Sequence, residues 1–266
     1  MRNKMAQPTP SDWQRIRASL PAEKRAWDRT FPWIAYVCRP LSFPLAYGFH
    51  RLGMSANHVT GLTALLGGIS LPLLALGTQP AAMWGGICLV LYSILDQTDG
   101  TLARAFPTSG PPVGKFWDEM VGNSYALSYF ALGIGLARMA PDEALLWMIL
   151  GGVSTIGKYF TDLTRLVFWK VLGSDWERQK GATETGYQPH SGRSHYRVYN
   201  NLTHLQGHVF LLPLAAWYGF LDIFLLATAV VTVLQVVSNL GLYMKRSWQL
   251  RGDQRGSSNG GGERPS

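Results

Sequence analysis

The chain has 266 residues, 47% of them hydrophobic, but only 15% are charged, against roughly 25% in a typical soluble domain. Two cysteines, Cys38 and Cys88, exclude a disulfide scaffold, and the composition excludes a disordered or collagen-like chain. The formal net charge of +8 and mean hydropathy of +0.04 average polar ends with long uncharged runs, so the placement of the cations has to separate a nucleic-acid partner from an anionic membrane face.

Residues 1–32 lack the apolar core of a cleavable signal peptide. Within residues 11–30, Trp13, Ile16, Leu20 and Trp27 alternate with Arg15, Arg17, Lys24 and Arg25, the pattern of a helix lying at headgroup level. A second amphipathic stretch covers residues 40–52. Residues 59–77 and 223–244 carry no charge and match the roughly 20 apolar residues that cross a bilayer core as helix. Weaker spans are expected over 81–95, 120–137, 144–157 and 202–221, each bordered or interrupted by polar groups. The expected fold class is therefore all-α: a polytopic membrane protein with about six transmembrane helices and an N-terminal interfacial amphipathic helix. The expected division is a cytoplasmic or interfacial segment 1–55, a transmembrane domain 56–245 and a disordered Gly/Ser-rich tail 246–266. No internal repeat is evident.

With six spans, the N-terminus, residues 96–117, residues 166–200 and the C-terminus share one side. Those segments hold 21 of the 24 Lys and Arg residues, whereas the opposite side has only Arg138. The positive-inside bias places both termini in the cytoplasm and assigns the net charge to a membrane face, with no nucleic-acid partner needed.

The informative segment is LDQTDGTLARAFPTSGPPVGKFWDEMVGN, residues 95–123. Asp96 and Asp99 lie three apart at the end of the second span and share a helix face. Gly100 and Ala103 continue that face with minimal side chains, and Arg104 adds a fixed cation. Pro107, Gly110, Pro111 and Pro112 break the helix, and Asp118 follows one turn after Gly114 in the third. Carboxylates near a membrane are costly and repel one another; divalent cations with a preference for hard oxygen ligands, Mg²⁺ or Mn²⁺, remove both penalties. From spacing alone, headgroup water or pairing with Arg104 and Lys115 is an equal reading.

This segment resembles the signature of the CDP-alcohol phosphotransferase family, D-x2-D-G-x2-A-R-x(8–9)-G-x3-D-x3-D, at Asp96, Asp99, Gly100, Ala103, Arg104, Gly114 and Asp118. Six spans, an N-terminal interfacial helix and the Asn57-His58-Val59-Thr60 lead-in to the first span are also similar to that family. The resemblance implies transfer of a phosphatidyl or substituted phosphoryl group from a CDP-alcohol, usually CDP-diacylglycerol, to an alcohol acceptor with release of CMP. It implies Asp96, Asp99 and Asp118 as ligands of Mg or Mn, and Gly100, Ala103, Arg104 and Gly114 as nucleotide-binding positions. A homodimer embedded among membrane lipids is likewise implied.

One position departs from the pattern. The final aspartate, regarded in the family as the general base and a contributor to the metal site, is Gly122 here. Glu119 neighbours Asp118 but lies about 100° round the helix from it, which makes it an imperfect substitute base. Asn123 can hold a water or alcohol but not accept its proton. Gly122 itself reads otherwise as a helix-packing residue. The alternative function is a catalytically impaired member that binds CDP-lipid without normal turnover.

Elsewhere, Lys180, His190, Arg193, His195, Tyr196 and Arg197 are candidates for a phosphorylated acceptor or simply solvated charge. Lys158, Asp162 and Arg165 share one face of the fourth span, as cavity lining or as a mutual salt-bridge network. His204 and His208, one turn apart, lack the Glu of the metalloprotease pattern, so hydrogen-bonded packing is expected before zinc. A transporter would show discontinuous helices in two matching halves, which the sequence does not.

Overall fold

Ser11 opens the first helix through a reciprocal capping box with Gln14. In this computed structural model, which describes residues 11–107, 113–180, 201 and 205–259, all regular structure among the described residues is helical. The expected single helix over 11–30 is two short ones, α1 (Asp12–Ala18) and α2 (Ala22–Asp28), separated at Pro21, whose missing amide hydrogen suits a helix start. Ile16 and Leu20 are buried against the rest of the protein. Trp13 stacks edge-on to Tyr47, and Arg15 lies over the Phe106 ring, so α1 docks on the helices that follow.

A π-turn, Ile34–Cys38, runs directly into α3 (Arg39–Arg51). Ser55 caps α4 (Ala56–Ala75) in a box closed by His58. Gly77, at φ +77°, then reverses the chain into α5 (Gln79–Ala105), whose first turn is capped by Thr78. The expected third span is broken at Tyr125–Ala126 into α6 (Val113–Ser124) and α7 (Leu127–Met139). A short 3₁₀ turn, Pro141–Glu143, leads into α8 (Ala144–Lys180). Residues 166–180, expected in a loop, continue this helix. After α9 (Leu205–His208) and α10 (Leu211–Tyr218), Gly219 reverses the chain in the left-handed region, and α11 (Leu221–Asn259) follows. Residues 246–259, expected in a structureless tail, are thus helical.

Among the described residues, three helical stretches are long and apolar enough to cross a membrane: Ala56–Ala75, Pro141–Arg178 and Leu221–Leu250. The distribution of side chains agrees with a lipid surround. Leu145, Ile156, Leu163, Leu234 and Val237 are exposed, while Thr63, Ser70, Thr98, Ser154 and Thr228 are buried. The buried hydroxyls donate back to helix carbonyls, as Thr63 does to Val59 O (3.0 Å), Thr98 to Ile94 O (2.8 Å) and Thr228 to Phe224 O (2.8 Å). An aqueous protein keeps large apolar patches off its surface, whereas hydrocarbon rewards this inverted arrangement. The protein is a membrane protein. Its main core gathers Leu74, Leu89, Leu132, Val209, Leu212 and Leu225 from α4, α5, α7, the turn before α10, α10 and α11. The α7–α8 crossing is close enough that a Cβ on Gly133 would lie 2.6 Å from Trp147 O, the small-residue contact usual between membrane helices.

Candidate active site

The C-terminal half of α5 carries the acidic motif, and α4 packs along it. Asp99 is 3% exposed. Its Oδ2 accepts a 2.7 Å hydrogen bond from Thr60 Oγ1 on α4, and its Oδ1 is buried with no hydrogen-bond partner among the described residues. Leaving one oxygen of a buried carboxylate unsatisfied costs on the order of 1–3 kcal/mol or more, and this oxygen keeps the capacity to accept one further bond. The charges of Asp96 and Asp118 both reach Asp99, and those of Glu119, Arg104 and Lys24 reach Asp118. The three aspartates of the spacing therefore share one electrostatic neighbourhood, with Asp99 buried, Asp96 half-buried and Asp118 exposed on α6. Among the described residues no three His, Cys, Asp or Glu side chains are gathered tightly enough to enclose a metal ion.

The small residues divide by role. A Cβ on Gly114 would fall 2.6 Å from Asn57 Oδ1, so the start of α4 lies against the start of α6, with the end of the Asn57 side chain in the space a Cβ would take. Arg104 folds back over Gly100, its Nη1 lying 3.2 Å from where a Cβ would sit, so the room made by that glycine holds a guanidinium. Ala103 is exposed. Asn57 and Thr60, noted in the sequence only as a lead-in to the first span, thus both lie against residues of the motif.

Gly122 is not a packing glycine: a Cβ there would meet no atom within 4 Å. The nearby backbone is fixed by Tyr92, whose hydroxyl donates to Val121 O, and by Ser124, which donates to the same carbonyl at 2.7 Å. Glu119 is exposed, and Asn123 donates its Nδ2 to Glu119 O at 2.8 Å.

A buried network that sequence reasoning missed reaches the site from the N-terminal helices. Arg39, 5% exposed, donates from Nε to Asp28 Oδ2 (2.7 Å), from Nη2 to Gln97 Oε1 (2.6 Å) and from Nη1 to Thr101 Oγ1 (3.1 Å). Gln97 Nε2 in turn donates to Asp96 Oδ2 at 2.9 Å. Arg39 had counted in the sequence as one more cation of the N-terminal segment. Its partners are 11 to 62 residues away, and no local pattern marks them.

Of the other candidates, Lys158 pairs with Asp162 at 3.3 Å and is 7% exposed, while Arg165 is exposed and takes no part in that pair. His208 Nε2 meets the Tyr129 hydroxyl at 3.2 Å, in line with the hydrogen-bonded packing expected of it. His204 and the loop residues His190, Arg193, His195, Tyr196 and Arg197 lie outside the described residues.

A search of curated proteins returns no match. The family model described as CDP-alcohol phosphatidyltransferase matches residues 54–234, more than half of the chain and the whole of the α4–α6 site. The chain belongs to the CDP-alcohol phosphatidyltransferase family.

Proposed function

We propose that this protein is a multi-pass membrane transferase that moves a phosphatidyl group from CDP-diacylglycerol to an alcohol acceptor and releases CMP. The observation that carries the reading is Asp99: a carboxylate buried at the end of α5, with one oxygen bonded by Thr60 and the other unpartnered among the described residues, beside the charges of Asp96 and Asp118. That donor set consists of hard oxygens and fits Mg²⁺ or Mn²⁺. Asp96, Asp99 and Asp118 would hold the ions. Bound there, the divalent cations supply neutralisation of the pyrophosphate and of the charge that develops on departing CMP.

The chain's own residues account for the remaining steps. Arg104, held over Gly100, attracts the nucleotide phosphates. The acceptor oxygen attacks the phosphorus bearing the diacylglycerol, forming a new O–P bond as the bond to CMP breaks. CMP leaves with the bridging oxygen and its electron pair, and the acceptor proton passes to Glu119, which is exposed beside Asp118. The distribution of Lys and Arg supports a cytoplasmic site and termini, six spans with α1 and α2 at the interface, and access for a soluble nucleotide while the acyl chains stay in lipid. A homodimer accompanies this reading by family resemblance.

The test is CMP release from CDP-diacylglycerol by purified protein over a panel of alcohols. Activity is expected with Mg²⁺ or Mn²⁺ and none after chelation. Asp99→Ala turning over as fast as wild type would remove the assigned site. The open space at Gly122 favours a second reading, an impaired member; CDP-lipid binding without CMP release from any acceptor would establish it.

A further inference from the structure

Between α2 and the π-turn preceding α3 lies a cavity of about 340 Å³ that the proposed chemistry does not use. Leu20, Ala35 and Tyr36 supply its apolar lining, and Arg25, Arg29, Arg39 and Asp28 its charged lining. The carboxylate is already neutralised, since Asp28 takes Arg39 Nε at 2.7 Å and Lys24 Nζ at 3.5 Å. Arg39 is likewise committed, to Asp28, Gln97 and Thr101. Arg25 and Arg29 are not. Arg25 gives one donor, Nη2, to Leu20 O at 3.2 Å, which steadies its guanidinium. The Arg29 guanidinium has no hydrogen bond or ion pair among the described residues. The two stand one turn apart, where like charges destabilise a helix unless an anion lies between them.

We infer that this cavity binds a phosphate group, gripped by Arg25 and Arg29, with Tyr36 and Leu20 beside the apolar part of the molecule that carries it. Guanidinium forks match phosphate oxygens in pairs, and a pocket combining them with apolar lining suits an amphiphilic ligand. The phosphate has two sources, an anionic phospholipid headgroup or a soluble phosphomonoester. Binding here is read without turnover, so the inference stands or falls apart from the proposed transferase activity.

The experiment uses the full chain in a neutral detergent and follows the thermal unfolding midpoint. It titrates phosphatidic acid, phosphatidylcholine as the zwitterionic comparison, and glycerol phosphate. Phosphatidic acid is expected to raise the midpoint of wild type more than phosphatidylcholine does. Arg25→Gln/Arg29→Gln is expected to weaken its half-saturation at least about tenfold, from the loss of charge-assisted bonds. Arg17→Gln/Arg51→Gln, with the same change of charge outside the cavity, is expected to leave it unchanged. Arg25→Lys/Arg29→Lys, which keeps the charge but not the forks, is expected to fall between wild type and the Gln pair, and it carries the test if the Gln pair does not fold. Protection by glycerol phosphate with the same arginine dependence identifies a soluble ligand; protection by phosphatidic acid alone identifies a lipid. Equal weakening in the Arg17/Arg51 pair, or no protection of wild type by either anion, overturns the inference.

Discussion

The two oxygens of Asp99 differ in kind, one bonded to Thr60 and the other buried without a partner among the described residues. Thr60→Val keeps the shape and removes the donor. A hydrogen bond to a charged group contributes about 1.5–3 kcal/mol, so CMP release is expected to fall roughly tenfold to a hundredfold, with the dependence on metal concentration shifted upward. Gly114→Ala places a Cβ 2.6 Å from Asn57 Oδ1. The end of the Asn57 side chain can move aside, so activity should drop while the thermal midpoint changes by no more than the effect of about 1 kcal/mol. Gly122→Asp meets open space and restores the missing carboxylate. It should be tolerated in folding, and in a Glu119→Gln background it should return CMP release toward wild type. Failure of that rescue would mean that position 122 no longer lies on the proton's path.

At the scale of elements, the Asp28–Arg39–Gln97 chain ties α2 and α3 to α5. Breaking a buried pair by removing one member costs about 3–5 kcal/mol, because the other is left charged and desolvated. Arg39→Met should therefore lower the thermal midpoint markedly. Asp28→Asn/Arg39→Met should cost less than the two single changes together, a coupling measurable by a double-mutant cycle. The individual helices were legible in outline from the uncharged runs, but their limits moved. α8 extends to Lys180 and α11 to Asn259, because helical hydrogen bonding continues past the apolar stretch that a bilayer requires. The expected third span is divided at Tyr125–Ala126.

Across the whole molecule, large apolar side chains face outward and small hydroxyls inward. Leu234, 61% exposed near the middle of the Leu221–Leu250 stretch, lies on that outer face. Leu234→Arg should cost about 2.5–3.5 kcal/mol of insertion free energy and reduce the membrane-inserted fraction, read by alkaline extraction of membranes. Hydropathy alone did not assign the inner and outer faces, since residues 223–244 of α11 carry no charge on any side and their period carries little information. By itself the sequence determined the helical class, the membrane setting and the Asp96–Asp99–Gly100–Ala103 face of α5, because helix periodicity fixes which residues lie one turn apart. Tertiary structure alone decided that Thr60 bonds Asp99, that Asn57 abuts Gly114, that Gly122 borders open space and that Arg39 is buried among Asp28, Gln97 and Thr101. Those contacts join residues on different helices, and their formation depends on how the helices pack, which no local spacing encodes.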